Sequence, residues 1–288
     1  MEDIAIIGIG NWGRVILKEL SGLANFKYFL STGSSDNLLW VKKNYPTIKS
    51  AKHIEQILQD KSIKSVIVAT PISTHYDISK KLLLAGKNVF VEKPPATTLE
   101  QAKDLLRLAK INNVTIFSDN IFLYSSAFNT LKSLLKNNKV RFFQSVWLKH
   151  GSFKESMHWN LAYHDIYLII AILGNKLKIS SSSLQKNALY IELKTENGNN
   201  IVIFITREFK GEKTKLIMVS LDDCQIVWNN LDLIMLKNNN ISKVVVRERK
   251  SALKHAFLEF NKEILSRKIR YANFRVSMES IKILEKIA

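Results

Sequence analysis

With 288 residues the chain is long enough for two domains of ordinary size, and 46% hydrophobic and 24% charged residues exclude a disordered polymer. One cysteine, Cys224, excludes an internal disulfide framework and a cysteine-based metal site and makes a reducing cytoplasm the expected compartment. The apolar run Ile166–Gly174 is too short to cross a bilayer, Glu2 and Asp3 stand where a signal peptide would be basic, and the net charge is +18.

Through residue 119, short apolar runs alternate with helical patterns. Ile4–Gly8, Phe26–Ser31, Ser65–Ala69, Asn88–Glu92 and Val114–Ser118 read as strands buried on both faces of a parallel sheet. Helices are predicted between them at Asn11–Leu23, Asn37–Asn44, His53–Gln59, Thr74–Ala85 and Thr98–Asn112, the last with Thr98 as cap and Gln101 as its capping-box partner. The alternation predicts a Rossmann-type, doubly wound parallel sheet. From Val140 to about Leu236 strands predominate: Tyr190–Thr195, Ile201–Thr206, Lys215–Leu221, Gln225–Asn229 and Leu231–Leu236. One apolar helix, Leu161–Leu173, interrupts them, and Asn197-Gly198 marks a hairpin. Ser180–Ser183 and Asn238–Asn240 read as surface punctuation, and helices close the chain at Ala252–Ser266 and Val276–Lys286. The expected whole is a Rossmann domain, residues 1–119, and an α+β domain, residues 120–288, with a large, mostly antiparallel sheet. The C-terminal helix of the second is free to pack back on the first.

The first strand leads into Gly8-Ile9-Gly10-Asn11-Trp12-Gly13 and then a helix. In such a G-x-G-x-x-G the first glycine permits the turn, the second lets the backbone approach a pyrophosphate, and the third lets helix and strand pack closely. The phosphate would rest on the free N–H groups of the helix N-terminus. After the second strand comes Ser31-Thr32-Gly33-Ser34, with no acid before Asp36 to hold a ribose 2′-hydroxyl. That favours NADP slightly over NAD, with Lys42 or Lys43 within reach of a 2′-phosphate.

Ala69-Thr70-Pro71 with His75 follows the third strand, and Glu92-Lys93-Pro94 the fourth. Together with the glycine loop, and with Trp159–Asp165 further on, these motifs resemble the glucose–fructose oxidoreductase/inositol dehydrogenase (Gfo/Idh/MocA) family. The resemblance implies an NAD(P)-dependent oxidoreductase of a sugar or nucleotide-linked sugar, in the making of a surface polysaccharide or a modified sugar. It also implies oligomers formed through the outer face of the second sheet. Ala69, Thr70, Pro71, His75, Glu92 and Lys93 would join the glycine turn, Thr32, Gly33 and Ser34 around the cofactor. Lys93, at a strand's carboxyl end, would hydrogen-bond the reacting oxygen, and His164 would exchange the proton. Each residue has a plainer reading: a solvated lysine for Lys93, a packed histidine for His164, a helix cap for Asn160 and a partner to a basic side chain for Asp165.

The chain departs from the family at Asn160, where aspartate is usual, at Leu123-Tyr124, where Arg-Tyr is common, and at Ser126 in place of proline. A catalytically impaired, cofactor-holding sensor or scaffold is therefore the alternative to an enzyme, and an imine or tetrapyrrole reductase a further one. Residues 1–119 carry net +5 and the remainder net +13, a distribution suited to steering an anionic substrate. Nucleic acid is disfavoured for want of a zinc finger, RNP sequence or Arg-rich arm. The Lys-, Asn- and Ile-rich composition accounts for part of the excess. Trp147, Trp159 and Trp228 read as sheet or core aromatics. His53, His150, His158 and His255 show no metal-ligand spacing, although His158 is close enough to His164 in sequence to line a pocket.

Overall fold

The computed structural model describes residues 2–31, 33, 35–136, 138–151, 155–229, 232–237, 240–244, 246, 251–266 and 270–287. The chain divides into two compact units, Met1–Ile121 with Leu253–Ile281 and Phe122–Ala252 with Lys282–Ala288.

In the first unit β1 (Asp3–Ile7), β2 (Asn25–Leu30), β3 (Lys49–Ser50), β4 (Ile63–Val68), β5 (Asn88–Val91) and β6 (Ile116–Ser118) form a parallel sheet in the order β3-β2-β1-β4-β5-β6. The expected strands are all present; β3 is an edge strand too short to carry a hydrophobic pattern. The connecting helices are α1 (Asn11–Leu20), α2 (Ser35–Asn44), α3 (Ile54–Gln59), α4 (His75–Leu84) and α5 (Leu99–Ile111). The strand order changes direction beside β1, and ligands of such sheets bind at the carboxyl ends of the strands there. On α5 the Thr98 hydroxyl accepts from the Gln101 N–H at 3.1 Å, as expected of a cap. The Gln101 side chain, however, reaches back to the Thr97 N–H at 3.3 Å, so the box closes one residue earlier than predicted.

The second unit contains β7 (Phe142–Leu148), β8 (Leu177–Leu184), β9 (Ala188–Thr195), β10 (Asn200–Thr206), β11 (Thr214–Ser220), β12 (Cys224–Asn229), β13 (Asp232–Lys237) and β14 (Asn240–Val244). They run β14-β13-β12-β11-β7-β10-β9-β8 and pair antiparallel except for the parallel β7–β10 pair. The predicted hairpin joins β9 to β10, with Gly198 at φ 77° and its N–H on the Thr195 carbonyl at 3.0 Å. Ser180–Ser183, read as punctuation, belong to β8, an exposed edge strand whose serines give no alternation to detect. Asn240 opens β14, while residues 238–239 and Leu231 lie outside the described residues. Helix α6 (Ser126–Leu135) was not foreseen, and α7 (Tyr163–Leu173) is buried from Tyr163 to Ile170, as an all-apolar helix must be. Burial alternates along the central strands. Phe143, Ser145 and Trp147 of β7, Ile201, Ile203 and Ile205 of β10, and Lys215, Ile217 and Val219 of β11 share the inner face. Val146, Leu148, Phe204, Leu216 and Met218 lie on the outer face, partly or fully exposed.

Two helices end the chain, α8 (Ala252–Leu265) and α9 (Ala272–Leu284). The sequence reading returned only the last helix to the first domain, whereas residues 253–281 all cluster with the first unit. The cause is aromatic packing. Phe260 lies 5.6 Å from the Phe90 ring of β5 and 5.8 Å from Phe117 of β6, with Phe257 6.1 Å from Phe90. Glu263 of α8 then receives the Tyr271 N–H at 2.8 Å and the Asn273 N–H at 3.1 Å, fixing the start of α9.

Candidate functional site

Each glycine of the first turn has its own reason to lack a side chain. Gly8 follows β1 at φ 99°, and a Cβ there would stand 2.4 Å from the Ala69 carbonyl oxygen at the end of β4. A Cβ on Gly13 would stand 2.2 Å from the Gly8 carbonyl oxygen, so that glycine is what brings α1 against the turn. A Cβ on Gly10 would meet nothing within 4 Å. Gly10 is also the N-cap of α1, with no capping side chain and no acid in the first turn, so the first N–H groups face an open space. That space is a cavity of about 830 Å³ lined by Gly8, Gly10, Asn11, Trp12, Ser31, Gly33, Asn37, Lys52, His53, Ala69, Thr70 and Pro71, among others. Free N–H groups at a helix N-terminus beside a glycine suit a pyrophosphate. The residues present thus fit a dinucleotide.

Thr32 and Ser34 lie outside the described residues. Lys42 and Lys43 sit on the exposed last turn of α2 and do not line the cavity. Lys52 and His53 take that place, on the connection after β3, which carried no sequence signal of its own.

Gly13, His75, Glu92 and Lys93 do not line the cavity; the last three build its neighbourhood. His75 is buried with Nε2 2.7 Å from the Thr70 carbonyl and Nδ1 2.8 Å from the Pro94 carbonyl, clipping the loop after β4 to the loop after β5. Burial pushes its pKa down despite the two carbonyls. Lys93 is half-buried, and its N–H donates to Glu92 Oε2 at 3.2 Å. Asp119 went unnoticed in the sequence although it stands directly after β6, its N–H on the Val91 carbonyl at 2.8 Å. Its carboxyl group is 1% exposed, and neither oxygen makes a hydrogen bond of normal geometry. Burial, and then the nearby Glu92 carboxylate, raise its pKa well above the carboxylate range against the pull of the Trp12 indole and the Lys93 cation.

In the second unit, His158–Ala162 form a π-helical turn that leads into α7. Asn160 lies within this turn, half-buried, with its N–H on the Ser156 carbonyl at 3.0 Å, and so does not cap α7. His158 Nδ1 is 2.9 Å from the Ser156 hydroxyl. His164, 9% exposed, has Nδ1 2.9 Å from the Tyr167 hydroxyl, which also receives the Phe122 N–H at 3.4 Å. Phe122 and Trp147 flank the imidazole with ring centroids 5.0 and 6.0 Å away. Asp165, fully buried, accepts from Ser145 Oγ at 2.8 Å and Trp147 Nε1 at 2.7 Å and lies 3.5 Å from Lys215 Nζ, the basic partner expected for it. Burial still raises the Asp165 pKa, in opposition to Lys215. Lys215 itself was missed because a lysine inside an alternating strand reads as solvent-facing. Here its ammonium lies 4.1 Å from the Phe122 ring centroid and 4.5 Å from that of Trp147. Leu123 and Tyr124 lie in a 3₁₀ turn. Ser126 opens α6 at the position proline favours, behind Ser125, whose hydroxyl caps the helix by accepting from the Phe128 N–H at 3.2 Å. Among the described residues no three His, Cys, Asp or Glu side chains group as metal ligands, and no helix is long and apolar enough to cross a membrane.

Comparison with known proteins agrees with this geometry. Residues 3–120 match the oxidoreductase family with an NAD-binding Rossmann fold, GFO_IDH_MocA. The uncharacterized oxidoreductase YdgJ of Escherichia coli (strain K12) is 30% identical over 159 residues, 50% of this chain and 46% of YdgJ. The chain spans about half the length, or less, of the curated relatives it matches. In structure it resembles UDP-N-acetylglucosamine 3-dehydrogenase GnnA from Acidithiobacillus ferrooxidans, with a TM-score of 0.87 at 15% identity over 99% of this chain and 96% of GnnA. It also resembles the 3-ketoreductase KijD10 from Actinomadura kijaniata in complex with NADP, with a TM-score of 0.88 at 14% identity over 99% and 96% of the two chains. The glycine turn, the parallel sheet that carries it and the match over residues 3–120 show an NAD-binding Rossmann unit similar to that of the Gfo/Idh/MocA oxidoreductases.

Proposed function

We propose that the protein is an NAD(P)-dependent oxidoreductase acting on the carbinol or carbonyl carbon of a sugar or nucleotide-linked sugar. The observation that carries this is the open Gly10 position at the uncapped start of α1, above a cavity of dinucleotide size. A bound nicotinamide supplies or accepts the hydride. Lys93 donates a hydrogen bond to the reacting oxygen, and His164 gives or takes its proton, with Tyr167 fixing the orientation of the ring. Asn160 contributes an amide where a carboxylate is usual, leaving substrate contacts to hydrogen bonding without charge.

NADP is the preferred cofactor in this reading. Ser31 follows β2 with no acid before Asp36, Lys52 lines the same cavity, and the similar KijD10 was solved with NADP. The protein works in the cytoplasm, in keeping with its single cysteine, and in making a modified sugar or surface polysaccharide, as the family resemblance implies. It assembles as a homo-oligomer through the outer face of its large sheet, where Val146, Phe204 and Met218 are left partly or fully exposed.

Steady-state NADPH oxidation with a panel of ketosugars and nucleotide-linked ketosugars tests the reading. Turnover is expected, and Lys93→Ala should lower kcat by about 100-fold or more while NADPH affinity is kept. NADPH binding without turnover on any substrate would instead assign a sensor or scaffold.

A further inference from the structure

The second unit carries a cavity of its own, of about 730 Å³, that the proposed reaction does not use. Its walls are the last turns of α6, the connection from α6 to β7, the end of α7 and the hairpin between β9 and β10. Lys132 and Lys136 of α6 line it together with Lys139 of the connection, and all three are exposed. Positions four apart on a helix share a face, so Lys132 and Lys136 set like charges side by side, an unfavourable pairing unless an anion lies between them. Among the described residues that line the cavity there is no carboxylate. The surrounding sequence supplies none either: no aspartate or glutamate occurs in residues 120–154 or in residues 166–191. Glu196, in the hairpin, is engaged by Lys176 Nζ at 2.8 Å.

Lysines in the last turn of a helix commonly serve its terminal carbonyl groups, but here backbone and amide groups already do so. The Ser133 carbonyl accepts the Lys136 N–H at 3.3 Å, the Leu134 carbonyl the Asn138 side-chain amide at 2.7 Å, and the Leu135 carbonyl the Asn138 N–H at 3.1 Å. The lysines are therefore not needed as caps.

The rest of the lining indicates what the anion carries. Asn129 of α6 offers an amide from one wall, and Asn197 and Asn199 offer theirs from the hairpin. The hairpin tip is itself fixed, with the Asn199 N–H on Thr195 Oγ1 at 3.1 Å and the Gly198 N–H on the Thr195 carbonyl at 3.0 Å. Ile172 and Leu173 of α7 add apolar surface. Amides that both donate and accept, beside apolar surface, suit a compact body with many hydroxyl groups and exposed C–H faces. No aromatic side chain lines the cavity among the described residues, so a nucleobase would find no ring to stack on.

We infer that this cavity binds a sugar phosphate, at a site that shares no residue with the dinucleotide cavity and does not depend on the oxidoreductase reading. Lys132, Lys136 and Lys139 hold the phosphate as point charges, and the asparagines hydrogen-bond the hydroxyl groups. Such a site also gives a physical reason for part of the positive excess in the second half of the chain.

Titration calorimetry of the full chain with glucose 6-phosphate, inorganic phosphate, glucose and AMP tests the site. Glucose 6-phosphate should bind once per chain, more weakly as salt rises, and about tenfold or more weaker in Lys132→Gln and in Lys136→Gln, the scale of one charge-assisted hydrogen bond. Lys176→Gln, whose lysine pairs with Glu196, should bind it as wild type does. Asn129→Ala should weaken glucose 6-phosphate and leave inorganic phosphate unchanged. The substituted side chains are exposed, so the melting midpoints of these variants should not fall below that of wild type. Equal glucose 6-phosphate affinities for wild type and both α6 lysine variants, or no binding at millimolar concentration, would overturn the site. Inorganic phosphate, glucose or AMP binding as tightly as glucose 6-phosphate would overturn the assignment to a sugar phosphate.

Discussion

Among single residues the three glycines of the first turn make the sharpest test, because the same change has different consequences at each. Gly10→Ala places a methyl group in open space, so stability should change by less than about 1 kcal/mol. NADPH affinity should nevertheless fall at least tenfold, since the methyl occupies the phosphate's approach. Gly8→Ala and Gly13→Ala press a methyl group against backbone oxygens and should destabilise the fold itself, by about 2 kcal/mol or more. Melting curves alongside NADPH fluorescence titrations separate the two kinds of loss; a Gly10→Ala protein that binds NADPH like wild type would remove the cradle. Tyr167→Phe takes away the hydroxyl that holds His164 Nδ1 and should lower kcat about tenfold, on the scale of one orienting hydrogen bond. An unchanged kcat would show that Tyr167 only packs. Lys93, His164 and the glycines stood out as candidates because motif spacing marks them. Asp119, Lys215 and Lys52 did not, because a charged residue next to or within a strand normally signals solvent, and only tertiary packing buries the first two.

For the elements, the start of α9 offers a pH-dependent test. Glu263 accepts two backbone N–H groups there, yet burial pushes its pKa up to about 7. A carboxyl whose folded pKa exceeds its unfolded one stabilises the fold below the unfolded value, near 4.5, and that contribution is lost as pH rises through about 7. Between pH 5 and 8 wild type should therefore lose about 2 kcal/mol relative to Glu263→Gln, which cannot titrate. Parallel stability curves for the two proteins would contradict the burial argument. Five strands of the parallel sheet and β9 to β13 of the second were readable from alternating or continuous apolar runs, whereas β7 and β14 were not picked out as strands. β8 was invisible, its exposed serines having no apolar face, and α6 drew no attention beside the changed family motif of residues 123–126. The π-helical turn before α7 was equally hidden, since no residue pattern separates it from an ordinary helical start.

For the whole molecule, the proposed assembly through the outer sheet face predicts that Phe204→Glu, alone or with Met218→Glu, shifts the sedimentation coefficient from oligomer to monomer without unfolding. A wild-type chain that sediments as a monomer would overturn it. The class of both sheets followed from element order, but the membership of the closing helices did not. Which sheet a late helix joins depends on partners far back in the chain, here Phe90 and Phe117 for Phe257 and Phe260. That return has a consequence for synthesis. The ribosome delivers β5 and β6 early, but the side chains that dry their aromatic cluster are among the last to emerge. The nucleotide-binding half must therefore wait, incomplete, while the whole other half is made. A nascent chain halted before residue 253 should be a chaperone client, with wet phenylalanines where the finished protein has a core.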